Sequence, residues 1–132
     1  MMLLELKNHQ VWQNLTEILL SLDSNTLIKE HLELSDYKVY GYWDDQDKYY
    51  EEVSLPRTLE ATLVSSSFGI TNKERFLQMR FSLTHLNHGS GNDNIFLGEL
   101  LLIYNEELEF IDENWYLDIE SPFIETKPKL KS

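Results

Sequence analysis

Cysteine is absent, which excludes disulfides, thiolate metal sites and a cysteine nucleophile. Proline is scarce, at three residues, and glycine numbers only five. Collagen-like and Pro/Gly-rich low-complexity chains are therefore excluded. Bases are few as well: 11 Lys and Arg stand against 23 Asp and Glu, for a formal net charge of −12. Three of those bases, Lys127, Lys129 and Lys131, sit at the C-terminal end. Residues 1–126 thus hold 8 bases against 23 acids, a net of −15. Such a body repels a polyanionic duplex and an anionic membrane surface, so neither nucleic acid nor membrane is expected as a partner. Arg57, Lys73, Arg75 and Arg80, with only Glu60 and Glu74 between residues 57 and 80, are too thin a basic cluster to reverse that expectation.

Long apolar runs are missing too. None approaches the roughly 20 residues that span a bilayer. The start, "MMLLELKNHQVW", has neither a basic n-region nor a small-residue cleavage site, so no signal peptide is expected and the location expected is cytoplasmic. The chain has no G-x-S-x-G, no P-loop and no dinucleotide-binding glycine pattern. "HGSG" at 88–91 fits a plain turn, and Ser65, Ser66 and Ser67 have no base close in sequence.

What is present is enough for one core. Hydrophobic residues make up 42% of the 132 and aromatics 12%, which argues for a single folded domain rather than disorder. Val11, Trp12, Leu15, Ile18, Leu19 and Leu22 recur at helical spacing and form one apolar stripe. "DSN" at 23–25 breaks that helix, and Ser24 is placed to cap a second one carrying Leu27, Ile28, His31 and Leu32, ending near Ser35–Asp36. From Tyr37 the period changes to two. "YKVYGYW", "YYEEVSL", "TLEATLVSSSF", "RFLQMRFSLTHL" and "IFLGELLLIY" read as strands. "LEFIDENWYLDI" reads as one bent strand or two hinged near Asp112–Asn114. "DDQDK", "GITNKE", "NHGSGND" and "NEE" read as turns, and Pro56 interrupts any ladder around it.

Short connections favour antiparallel pairing, and helices gathered at one end favour an α+β layer fold. The fold expected is α+β, with N-terminal helices packed on a curved, mostly antiparallel sheet of four to six strands that buries the Trp12 stripe. It forms a single domain over residues 1–126, followed by a flexible basic tail at 127–132. In element order alone this resembles cystatin-like and nuclear-transport-factor-2-like folds, where a helix packs into a bent sheet.

The stretch "YGYWDDQDKYYEEV", residues 40–53, gathers aromatic rings and carboxylates. Asp44, Asp45 and Asp47 lack the alternating spacing, the glycine and the closing glutamate of a calcium loop. They suit a turn. "EFIDENWYLDIE" repeats the theme with Asp112, Glu113 and Trp115. Exposed Tyr and Trp supply contact area at low entropy cost, and neighbouring carboxylates meet Arg and Lys. The functional expectation is a small acidic protein-binding module of immunity or inhibitor type, acting on a basic protein. Its partner-binding residues are Tyr42, Asp44, Asp45, Asp47, Tyr49, Tyr50, Asp112, Glu113 and Trp115. A homo-oligomer is compatible with this reading, and acidity that serves solubility alone is its plainest competitor.

The alternative is a small-ligand-binding or enzymatic domain, with an apolar pocket between helix and curved sheet lined by Trp43, His85 and Glu99. Glu99 is the lone charge of an apolar segment and needs a partner, for which Arg80 is suited, unless Gly98 forms a bulge that turns it outward. His85 and His88 lie three apart at a strand end, where that spacing does not bring both to one face. His31 reads as a core-edge histidine with one hydrogen bond, and His9 as solvated. No catalytic residue, metal or cofactor is assigned.

Overall fold

The computed structural model describes residues 9–85 and 94–128. Two helices, α1 (Gln10–Leu22) and α2 (Ser24–Leu34), precede seven strands. These are β1 (Lys38–Trp43), β2 (Tyr49–Ser54), β3 (Leu59–Ile70), β4 (Arg75–His85), β5 (Ile95–Asn105), β6 (Phe110–Leu117) and β7 (Glu125–Pro128). All pairings are antiparallel. The α+β class and the antiparallel pairing agree with the sequence reading, but the single curved sheet does not. Strands divide into a three-stranded sheet, β1-β2-β7, and a four-stranded meander, β3-β4-β5-β6. The likeness to folds with one bent sheet goes with it.

The break between sheets falls where the chain cannot continue a ladder. After Ser54 come Leu55, which is buried, and Pro56, which has no N–H to give. β3 then starts at Leu59 in the other sheet. β7 returns late to pair with β2, with Lys127 opposite Glu52 and Pro128 opposite Tyr50. The segment assigned to a basic tail therefore begins inside a strand. Residues 129–132 lie outside the described residues, as does the "NHGSGND" turn together with His88.

One cluster of buried side chains joins the layers. Leu77, Met79, Phe81 and Leu83 of β4 point into it, in the strict alternation legible in the sequence. Leu97, Leu100, Leu102 and Tyr104 enter from β5, Ile28 and Leu32 from α2, and Val39, Tyr42, Tyr50 and Val53 from the smaller sheet. The opposite face of the meander carries Thr62, Ser82, Glu99 and Tyr116 in one cross-strand row and Ser65, Arg80, Leu101 and Asn114 in the next. This polar face is what an antiparallel sheet covered on one side presents.

α1 departs from expectation. Its apolar stripe is not wrapped by a sheet: no residue of the helix is buried, and Trp12 is 53% exposed. The core is filled by α2 instead. Asp23, with φ +47°, ends α1 and caps α2, one residue earlier than Ser24. Its carboxylate accepts from the Thr26 hydroxyl at 2.7 Å and the Thr26 N–H at 3.4 Å.

Candidate functional site

The two acidic, aromatic segments do meet, though not through all of the residues expected. The β1–β2 tip is a five-residue loop held from inside by Asp44. One Asp44 carboxylate oxygen, Oδ1, accepts from the N–H groups of Gln46 at 2.9 Å and Lys48 at 2.8 Å. The other, Oδ2, accepts from the Tyr50 hydroxyl at 3.2 Å. Asp47 takes the left-handed conformation, with φ +60°. The β5–β6 loop repeats this design with an amide: Asn105 Oδ1 accepts from Glu107 and Glu109, and Leu108 has φ +63°. An Asx side chain closing a loop two and four residues on is a local structural device. Asp44 is therefore spent on its own turn. The backbone N–H of Lys48 first, then that of Gln46, holds its carboxyl below the ordinary aspartate range.

Gly41 decides which rings face out. Its φ of +68° breaks the alternation of β1. Val39 and Tyr42 are buried, while Tyr40 and Trp43 are exposed. Tyr42, expected in the docking patch, is only 7% exposed and cannot touch a partner. Its hydroxyl accepts from the Leu117 N–H at 2.9 Å and donates to the Leu117 carbonyl at 3.5 Å, pinning the small sheet to β6. Burial pushes its phenol pKa upward, against the opposing pull of that backbone N–H. Tyr50 is buried too. Burial, then its hydrogen bond to Asp44, raises its pKa, and the Lys48 ammonium lies 5.3 Å from its ring centre. Tyr49 packs on Trp43 with ring centres 5.0 Å apart, on the open face of the small sheet.

Beside the tip runs a cleft of about 520 Å³, lined by Asp44, Asp45, Phe96, Tyr116, Asp118 and Glu120 among others. The acids of its far wall come from the β6–β7 connection. That connection is fixed by a Ser121 N–H donating to the Asp118 carbonyl at 3.0 Å, by an Asp118 N–H donating to Leu97, and by the buried Ile124. Tyr116 is 55% exposed. The sequence reading named Asp112, Glu113 and Trp115 of β6, whereas the β6 residues that line this cleft are Tyr116 and Leu117. The period-two rule supplies the signal that was missed: if Trp115 packs inward, Tyr116 faces out.

Asp112, Glu113 and Trp115 do not line the cleft. Glu113 hydrogen-bonds His31 of α2, and His31 sits 5.1 Å from the Phe110 ring and 6.4 Å from the Trp115 ring. His31 is thus the core-edge histidine with one hydrogen bond. That bond is the main cause of a lowered Glu113 pKa, which burial partly opposes. Among the described residues the buried Trp115 Nε1 meets no acceptor at normal hydrogen-bond geometry, yet its N–H still favours the Glu113 charge. Asp112 is exposed on the open edge of β6.

The structure does not bring Trp43, His85 and Glu99 into one pocket. Trp43 is 61% exposed. His85 lies on the inner side of β4, stacked on Phe123 at 4.0 Å, with a buried Nδ1 that has no partner among the described residues. Glu99 is on the outer face, opposite Ser82, with Arg80 at 3.8 Å. The anticipated bulge is real: Leu97 is the extra residue, and Gly98 has φ +154°. A Cβ at Gly98 would lie 2.2 Å from the Tyr116 carbonyl oxygen. The gap beneath the helices, among Leu22, Leu27, Leu77, Met79, Tyr104 and Leu108, is about 30 Å³, too small for an organic ligand. Among the described residues no three His, Asp or Glu side chains converge to hold a metal ion, and no helix is long and apolar enough to cross a membrane.

No family model, curated protein or solved structure matches the chain. The geometry alone bears on function.

Proposed function

We propose that the protein is a small acidic protein-binding module, of immunity or inhibitor type, that receives a basic partner at the cleft between the β1–β2 tip and the β6–β7 connection. The supporting observation is the convergence of Asp45, Asp118 and Glu120 with the exposed Tyr116 and Phe96, on a chain of net charge −12. Carboxylates on the rim speed encounter with a cationic surface and set its orientation. The rings offer the apolar contact that slows release. Asp47, also exposed, extends the negative field along the tip. The exposed Trp43, with the half-buried Tyr49 packed on it, forms a second aromatic pair on the small sheet, available to a partner large enough to wrap the hairpin.

The test compares wild type with Asp45→Asn/Asp118→Asn/Glu120→Gln. Asp44 is left in place because it holds the turn. Each protein is used as bait in cell extract, and association with the captured protein is followed against ionic strength. A basic protein should bind wild type, with an on-rate that falls about tenfold or more between low and physiological salt, while the triple variant associates slowly at every salt concentration. An on-rate indifferent to salt, or equal for the two baits, would sink the reading.

A further inference from the structure

Among the described residues four strands have one side unpaired: β1 and β7 in the small sheet, β3 and β6 in the meander. An open edge presents unmet N–H and C=O groups to any other strand, and proteins blunt such edges with charge, proline, bulges or brevity. Three of the four are blunted here. β1 is broken by Gly41 and begins with Lys38. β7 has four residues, including Lys127 and Pro128. β6 carries Asp112 and Glu113 beside a bulge at Ile111, and Tyr42 ties down its end.

β3 is different. It is 12 residues long, and no ionisable side chain occurs from Ala61 to Asn72. Its one bulge, at Val64, is followed by a regular stretch from Ser65 to Ile70 that pairs residue by residue with β4. Leu59 donates to the Pro56 carbonyl at 3.1 Å, and beyond it, among the described residues, no backbone hydrogen bond outside the sheet ladder is made by the strand. α2 comes close to β3, and its Ile28 and Leu32 are buried in the core. The far end of the strand runs into an apolar cleft of about 410 Å³, lined by Phe68, Ile70 and Phe76 with Leu15 and Ile18 of α1. Ile70 is 79% exposed.

We infer that β3 pairs antiparallel with β3 of a second copy of this chain, across a twofold axis beside Ser67, to make one continuous eight-stranded sheet. Charge selects the occupant. Two bodies of net −12 repel wherever acids face each other, and beyond Glu60 near its start β3 carries no acid, from Ala61 to Ile70. A basic partner finds no carboxylate there. The axis places Ser67 opposite its own copy, Ser66 opposite Phe68, and Ser65 opposite Gly69, so every cross-strand pair holds at least one small residue and no two bulky side chains collide. The five residues so paired in each chain, Ser65 to Gly69, fall short of a standard interface of about 1,200–2,000 Å². The adjoining apolar cleft, with Ile18 and Ile70 exposed beside it, supplies further area. This pairing is independent of the acidic cleft and leaves it open.

Sedimentation equilibrium and cross-linking test the pairing. Wild type should sediment at twice the chain mass at tens of micromolar. The chain has no cysteine, so Ser67→Cys reports the seam directly: a short bis-maleimide should join two copies, while Gln46→Cys at the hairpin tip stays uncrosslinked. Ser65→Glu/Ser67→Glu, with folding verified by circular dichroism, should weaken the dimer at least about tenfold by placing like charges across the seam. A monomer up to about 1 mM, where association contributes no more than about 4 kcal/mol, overturns the inference. So does a dimer in which Ser67→Cys fails to cross-link.

Discussion

The two helices make an instructive pair. α1 has the longer and more regular apolar stripe, from Val11 through Leu22, yet none of its residues is fully buried and only Leu19 and Leu22 pack, half-buried, against the core. α2 has fewer apolar residues and places two of them, Ile28 and Leu32, in the core. Helical periodicity shows that a face is apolar, not that a sheet has room for it. The inner face of the meander already receives Val39, Tyr42, Tyr50 and Val53 from the small sheet. What remains accommodates one helix, and α2 takes it because its His31 also finds Glu113 on β6. α1 is left against the strand ends, contributing Leu15 and Ile18 to an open cleft.

That contrast can be broken at its strong end first. Leu32→Ala removes a side chain that is 3% exposed and should cost about 2–5 kcal/mol in urea unfolding. If it costs no more than a change in α1, α2 is not the core helix. The junction comes next. Asp23→Ala takes away the cap of α2 and puts alanine at φ +47°, with an expected loss of about 1–2 kcal/mol. Asp23→Asn, which tolerates that conformation and still caps, should recover most of it.

A smaller effect separates polar anchoring from packing. Glu113→Gln should cost about 0.5–1 kcal/mol near neutral pH, a figure already reduced for solvent access to the pair. The fold lowers the Glu113 pKa. The resulting stability is complete above the ordinary glutamate value of 4.5 and drains away as pH falls through the lower folded value. Stability curves of wild type and Glu113→Gln should therefore converge as the solution is acidified below that point. A gap that persists at low pH would assign the role to packing on Phe110 and Trp115. The smallest change is expected in α1, where Ile18→Ala should cost less than about 1 kcal/mol. Hydrogen exchange should show α1 amides opening well before those of α2. In the β3-paired dimer this ranking narrows, which ties the comparison to the oligomeric state.

Much of the fold was legible. β4 reads directly from its alternation, and the capping region, the turns after β1, β3 and β5 and the α+β order follow from local chemistry. The candidate site was legible only in kind. Asp45 and Asp47 lie exposed where a polar tip puts them, yet Tyr42 and Trp43 exchanged roles because one glycine adopted positive φ. Glu99 found Arg80 as anticipated. No rule of spacing, however, revealed that Asp118 and Glu120 would face the hairpin, since that proximity depends on β6 lying next to the tip through the Tyr42–Leu117 bonds.

By itself the sequence determined the element types, their order and the excess of negative charge, because period, turn residues and ionisable groups act over a few residues. Tertiary structure decided which faces are covered. Extra residues at Val64, Leu97 and Ile111, and the break at Gly41, each reverse an alternation for every residue that follows. Whether a strand takes such a step depends on the neighbour it pairs with. The core, once filled by two sheets and α2, left α1 and the edge of β3 facing outward.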